Sequence, residues 1–526
     1  MDKIAIHRRI KSANDKRKLT ARPVFRMAVL FCCLLLAAGS LTGQEKRSIR
    51  IKHAELFKVD EKKAPGLRKL IGDVVLSHKG ALMYCDSAYY YGSQNMFEAF
   101  SNVRINQGDT IELFADYIEY LGEKNLAKAR DSVELIDDEI NLTTDFLDYN
   151  TESSNGYYYN GGKVKTEETT LTSTKGYYYN QTDALHFKDC VKVNTPDYTI
   201  SCDTLKYNTQ SEIMSFLSPT RIVGDSSQIY CEDGWYNTRD EIAEFLKNTR
   251  FNNKKQTIQA HRLYYHKKNH SGEANRNITM IDHERNMILK GNYATFNDQT
   301  EDFMMTDSAQ MIAVMEEADS LYLHSDTIKA VYDSIEDIRT LQAYNRVKFY
   351  KSDLQGKCDS MVYSTADSIV RLYSKPVVWS GSNQLTAEYM EGITENEVLK
   401  RIFMETHAFI ASEKDTSKYN QLSGKNMTGY FKNNELYKID VKGNAQTIYF
   451  PEDEEVIIGL NKVEGSNMTL FLEKRAIKEI RFYTNPSSTL TPIEDVSRED
   501  MYLQNFRWDQ KYRPLNKAEI FIWRKP

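Results

Sequence analysis

The chain has 526 residues, 41% of them apolar, with 34 tyrosines, a mean hydropathy of −0.58 and a formal charge of −5. Such a polar, tyrosine-rich composition suits many half-exposed strands better than one compact globule. Its acidic balance argues against a nucleic-acid partner.

Residues 1–44 carry nine Lys/Arg and two Asp ahead of the apolar run Met27–Ala38 and the small residues Gly39, Ser40, Thr42 and Gly43, the pattern of a secretory signal peptide. That apolar run is shorter than the ~20 residues needed to span a bilayer. Its removal takes away 9 − 2 = +7 and leaves −12 on an exported chain. Five cysteines then remain (Cys85, Cys190, Cys202, Cys231, Cys358), an odd number without CxxC spacing, which read as small buried residues.

A short segment recurs downstream. Met83–Tyr90, Leu113–Tyr120, Leu142–Tyr149 and Ile200–Tyr207 place Asp86, Asp116, Asp145 and Asp203 at intervals of 30, 29 and 58 residues. A degenerate copy with Lys175 in place of the aspartate fills the long gap, and further copies centre on Glu232, His261, Asp326 and Asp359. Repetition at this period indicates a repeat architecture.

In each copy the apolar residues change parity at the aspartate, as from Leu113 and Ala115 to Ile118 and Tyr120. Strand side chains alternate strictly, so the switch requires a bulge or bend, and Asp86, Asp116, Asp145, Asp203 and Asp359 are read as structural corners. An Asp followed by Ser or Thr would bond the amides that the bend strips from the ladder. A second strand follows, as in Phe97–Ile105 and Leu185–Val193, with clean alternation, before turns such as Gln107-Gly108-Asp109. The fold class expected is all-β, an elongated open β-jellyroll or β-solenoid built from repeats of about 29 residues. Some 15 rungs, one per repeat at ~4.8 Å, give roughly 70 Å.

The spacing falters near residues 300–320. The expected organisation is a signal peptide over 1–44, a repeat domain over 45–305, a more degenerate block over 306–484, and a tail or cap over 485–526 with a short helix from Ser497 to Gln504.

Catalysis and metal binding draw little support. No HExxH, GxSxG, GxGxxG or P-loop string occurs, and acidic pairs such as Asp137/Asp138 and Glu316/Glu317 suit solvated turns. Lys175 and His261 at corner positions argue against a calcium ladder, so no metal or other cofactor is expected. The clusters Tyr157–Tyr159 and Tyr177–Tyr179 fit cross-strand ladders better than sugar platforms.

The segments Phe97–Ile105, Asp109–Leu113 and Ala115–Tyr120 resemble the periplasmic lipopolysaccharide-transport family called OstA or LptA, with the likeness strongest over residues 47–300 and weaker over 320–480. The resemblance implies an open, V-shaped β-jellyroll whose apolar interior carries the acyl chains of lipid A. It further implies a non-enzymatic role in the periplasm, in passage or association with the outer membrane, and other transport proteins or further copies of the chain as partners at exposed strand edges. Unlike relatives that carry an outer-membrane barrel, this chain follows its first block with roughly 200 polar residues, too few for a barrel that passes a glycolipid.

The trough-lining candidates are Met83, Phe97, Val103, Ile105, Leu113, Ile118, Val133, Leu135, Leu142, Leu147, Leu185, Phe187, Val191, Val193, Ile200 and Leu205. A closed core made by the same side chains is the competing reading. A cell-envelope scaffold or adhesin that uses the solenoid as a spacer is the alternative function.

Overall fold

The computed structural model describes residues 48–524 apart from 60–65, 109–110, 138–139, 316–318, 396–397, 433–434, 455, 474–475 and 485. The expected signal peptide, Asp109, Asp138 and the pair Glu316/Glu317 lie outside the described residues. Among those described there is no α-helix, and none long and apolar enough to cross a membrane.

Antiparallel strands follow one another as a meander, from Leu67–His78 and Ala81–Tyr91 through Met96–Gln107 and Ile111–Leu121 onward. Each repeat therefore supplies two full-length strands. It advances the stack by two strand spacings, ~9.6 Å, so the array is about twice as long as one rung per repeat implies. The sheet also runs unbroken through the region where the repeat spacing falters. Strand Met287–Asn297 pairs with both Asp302–Thr306 and Gln310–Ala313, and these pair with the strands beyond.

The full-length strands bend at mid-length, and the two kinds of strand do so differently. On Ile111–Leu121 the buried residues step by three across the bend, from Ala115 to Ile118. On Met96–Gln107 they step by four, from Ala99 to Val103, because Ser101 and Asn102 adopt left-handed backbone at φ 63° and 50°. Two residues thus face one, Asp116, which is a β-bulge. Asp131-Ser132 and Asp189-Cys190 likewise face Asp145 and Asp203. The alternation expected to run cleanly through the second strand survives only because this inserted pair restores parity. Cys190 sits in such a pair and is exposed, and Cys202 is only half-buried, contrary to the expectation that all five cysteines are buried.

At one margin of the sheet the hairpin turns repeat a second left-handed position: Asn95, Asn125, Ser154, Asp183, Glu212, Glu241 and His270, at intervals of 30, 29, 29, 29, 29 and 29 residues. Carbonyls of these residues accept from the next turn, as in Gly122 N–H to Asn95 O (2.8 Å), Thr151 N–H to Asn125 O (2.8 Å) and Thr209 N–H to Asp183 O (2.9 Å). Backbone links therefore stack the turns as the ladder stacks the strands.

The bends fold the sheet on itself, and one apolar cluster fills the space between the halves from Ile49 to Leu470. Residues 501–522 run back as a strap across the outer face of the later strands. Buried glutamines pin it: Gln421 donates to Met501 O (2.7 Å) and accepts from Leu503 N–H (2.9 Å), and Gln384 does the same with Arg507 O (2.9 Å) and Asp509 N–H (2.7 Å). Gln355 accepts from the Arg513 guanidinium (2.6 Å). The helix expected over 497–504 is instead a turn, with Asp500 N–H donating to Ser497 O (3.2 Å). The glutamines fix alternate backbone groups of an extended segment, and a helix would withdraw those groups.

Candidate functional site

All sixteen trough candidates point into the space between the halves, and all are buried. Over residues 67–190 they pack directly on one another. One narrow apolar cavity, about 40 Å³, remains between Leu135, Leu142, Leu147, Tyr158, Leu185 and Phe187. That is room for a few water molecules at most, so the two halves are nearly closed on one another there.

The margins of this segment are also tied together. His78 Nδ1 lies 2.8 Å from Tyr120 Oη, which lies 3.0 Å from Thr151 Oγ1. Tyr149 Oη donates to Gln107 Oε1 (3.0 Å), Gln107 Nε2 donates to Ser154 Oγ (3.1 Å), and Lys79 pairs with Glu152 (3.1 Å). His78, Lys79 and Gln107 come from one margin, and their partners from the other. These groups form a polar latch. Burial pushes the phenols of Tyr120 and Tyr149 above their ordinary range, which keeps them as hydroxyl donors.

Farther along, the repeat tyrosines lose burial, from Tyr120 and Tyr149, fully buried, to Tyr207 and Tyr236, half-buried. Tyr198, Tyr207, Ile222, Ile229, Tyr236, Phe251, Met280, Met287 and Phe296 pack against the interior cluster yet are only half-buried. Tyr198 and Tyr236 still meet across the gap edge to face, with ring centroids 6.4 Å apart. The interior is therefore latched over its first third and carries a part-exposed apolar margin, the mouth, over residues 198–296, with further part-exposed positions such as Leu321, Leu341 and Val370 beyond it. The candidates chosen from sequence lie mostly in the latched part. The mouth residues carry the same inward parity in later copies, so the repeat phase could have located them.

The five corner aspartates are exposed at the bends. Their carboxylates meet side chains more than the amides expected: Asp86 accepts from Asn102 Nδ2 (2.8 Å), Asp203 from Thr204 Oγ1 (3.1 Å) and Asp359 from Ser360 Oγ (2.9 Å). The degenerate copy keeps the contact with its charges exchanged, Lys175 pairing with Asp189 at 2.8 Å. Glu232 with Asn248 and Asp326 with Arg346 repeat the arrangement. No group of three or more candidate metal ligands occurs among the described residues. Thiols of Cys85 and Cys231 are pushed up to about 12 by burial, which removes their nucleophilicity.

Bent antiparallel strands folded around one continuous apolar interior define an elongated β-jellyroll. The model of the OstA-like protein family matches residues 46–203 and 200–320, just over half of the chain, and the chain belongs to that family. A second model, for the LptA/(LptD N-terminal domain) LPS transport protein, matches residues 313–398. These are lipopolysaccharide-transport families of the cell envelope. No curated protein matches the chain.

Proposed function

We propose that the chain shields the acyl chains of lipopolysaccharide, its lipid A part, between the two sheet halves during transfer to the outer membrane, without catalysing a reaction. The observation that carries this reading is the half-exposed apolar mouth at residues 198–296, continuous with the buried interior. Each methylene moved from water into such a mouth is stabilised by ~0.8 kcal/mol. Acyl chains then enter sideways at the mouth, and the trough candidates from Met83 to Leu205 receive them as the latch opens. Tyr207, Phe251 and Met280 make first contact.

Export by the N-terminal signal and residence in the periplasm, at or near the outer membrane, accompany this role. Among the described residues, both ends of the stack present strands paired on one side only: Arg50–His53 and Leu56–Val59 at the start, Ala476–Tyr483 and Ser487–Pro492 at the finish. Such edges accept a further strand, which suits either another transport protein or a second copy joined end to end. Leu56, Phe57 and Val59 are exposed at the first edge.

The tight packing of residues 67–190 favours a second reading, an envelope scaffold in which the same side chains serve only as core. Photo-crosslinkers at Phe251 and Met280 in cells separate the two. Capture of lipopolysaccharide supports the conduit, and its absence at both positions, with envelope glycolipid unchanged on depletion, supports the scaffold.

A further inference from the structure

Where the strap ends, its last turn lies over two bends of the sheet, Asp307-Ser308 and Asn345-Arg346. Between them is a cleft of about 380 Å³, separate from the interior, with Asp307, His324, Asp326, Arg346, Phe521 and Trp523 around it. Pockets that hold small ligands begin near ~300 Å³ and combine aromatic walls with a few convergent polar groups.

The aromatic walls are held in place. Lys348, 3% exposed, donates to Ile522 O at 2.6 Å, and so fixes the backbone between the two rings. The Trp523 ring also sits 5.8 Å from the Lys348 ammonium and 6.0 Å from that of Lys357. Phe521 lies 4.6 Å from the His324 ring, whose Nδ1–H is committed to Ala309 O at 2.8 Å. Neither ring has to be ordered when a ligand arrives.

The polar groups select among ligands. Arg346 is engaged by Asp326 through Nε (2.9 Å) and Nη2 (2.6 Å), so its charge is already matched. Asp307 adds a carboxylate with no side-chain partner among the described residues, fixed at the rim by a left-handed backbone at φ 57°. Net charge does not select the ligand, since the Lys348 and Lys357 ammoniums lie 5.8 Å and 6.0 Å from Trp523, and the directed groups are the two carboxylates. They accept hydroxyl or amine donors, while the rings offer a face to an apolar surface of C–H groups.

We propose that this cleft is a saccharide site that takes one or two neutral or amino-sugar rings, stacked on Trp523 and hydrogen-bonded to Asp307 and Asp326. The sugars come either from a free glycan or from the carbohydrate part of a glycolipid. The cleft does not open into the interior and does not depend on the lipid role.

The test uses the full chain and saturation-transfer NMR with three probes: oligosaccharide hydrolysed from lipopolysaccharide, fragments of N-acetylated glycan, and inorganic phosphate. Binding of either saccharide is expected, weakened at least tenfold in Trp523→Ala and in Asp307→Asn and largely restored in Trp523→Phe. Resistance of the strap to proteolysis in each variant shows that it stays docked, and unchanged lipid crosslinking at Phe251 separates this site from the conduit. Failure of both saccharides to bind, binding that both variants leave intact, or binding of phosphate in their place overturns the proposal.

Discussion

At the scale of single residues, the strap depends on buried glutamines whose amides are partnered by its backbone. Gln384, 1% exposed, satisfies Arg507 O and Asp509 N–H at once and also receives the indole N–H of Trp379 (3.2 Å). Gln384→Leu strands those groups at a cost of about 1–3 kcal/mol each. Limited proteolysis should then cut within residues 500–524 of the variant well before the wild type is cut. Lys348 gives the strap a pH dependence. Burial, followed by repulsion from Lys357 and Arg524 and opposed by Glu519, lowers its ammonium to about 8 from the 10.5 it has in water. Below pH 8 the amine is charged whether the strap is docked or free, and docking bears the full desolvation cost. Between pH 8 and 10.5 docking releases a proton, so the strap should hold more tightly as pH rises through that window. Proteolytic protection at pH 7 and pH 9.5 measures this, and Lys348→Met should flatten the difference.

At the scale of the strand, the bend needs a left-handed pair that few side chains tolerate. Asn102→Val places a β-branched residue at φ 50° and should cost about 1–2 kcal/mol, read as a lower Tm, whereas Asn102→Gly should change it little. The parity switch at each corner aspartate was legible from apolar spacing alone. Its counterpart was not, because Ser101-Asn102 and Asp131-Ser132 lengthen one strand by a residue pair that leaves the pattern of Phe97, Ala99, Val103 and Ile105 apparently regular. The strap was also hidden, since its partners Gln355, Gln384 and Gln421 are polar residues on a face that should meet solvent. The latch depends on contacts across 42 to 73 residues, such as His78 with Tyr120 and Lys79 with Glu152. No periodicity encodes those contacts. Combining His78→Ala with Gln107→Ala should free the margins. Amide exchange in Leu113–Leu121 should quicken, and a crosslinker at Ile105 should reach lipid that the wild type excludes.

At the scale of the whole molecule, a meander needs no long-range strand pairing, so each repeat folds onto the one before it and the apolar interior grows with the stack. Its two regimes divide the work proposed for it, with an open mouth over residues 198–296 where acyl chains enter and a latched segment over 67–190 that yields only when the margins part. The most direct measurement is site-specific photo-crosslinking in cells, with probes at Phe251 and Met280 in the mouth and at Tyr84 and Leu217 on the outer face. Lipopolysaccharide adducts are expected at Phe251 and Met280 and none at the outer positions if acyl chains travel between the sheet halves. Adducts at all four positions alike, or at none, would contradict it.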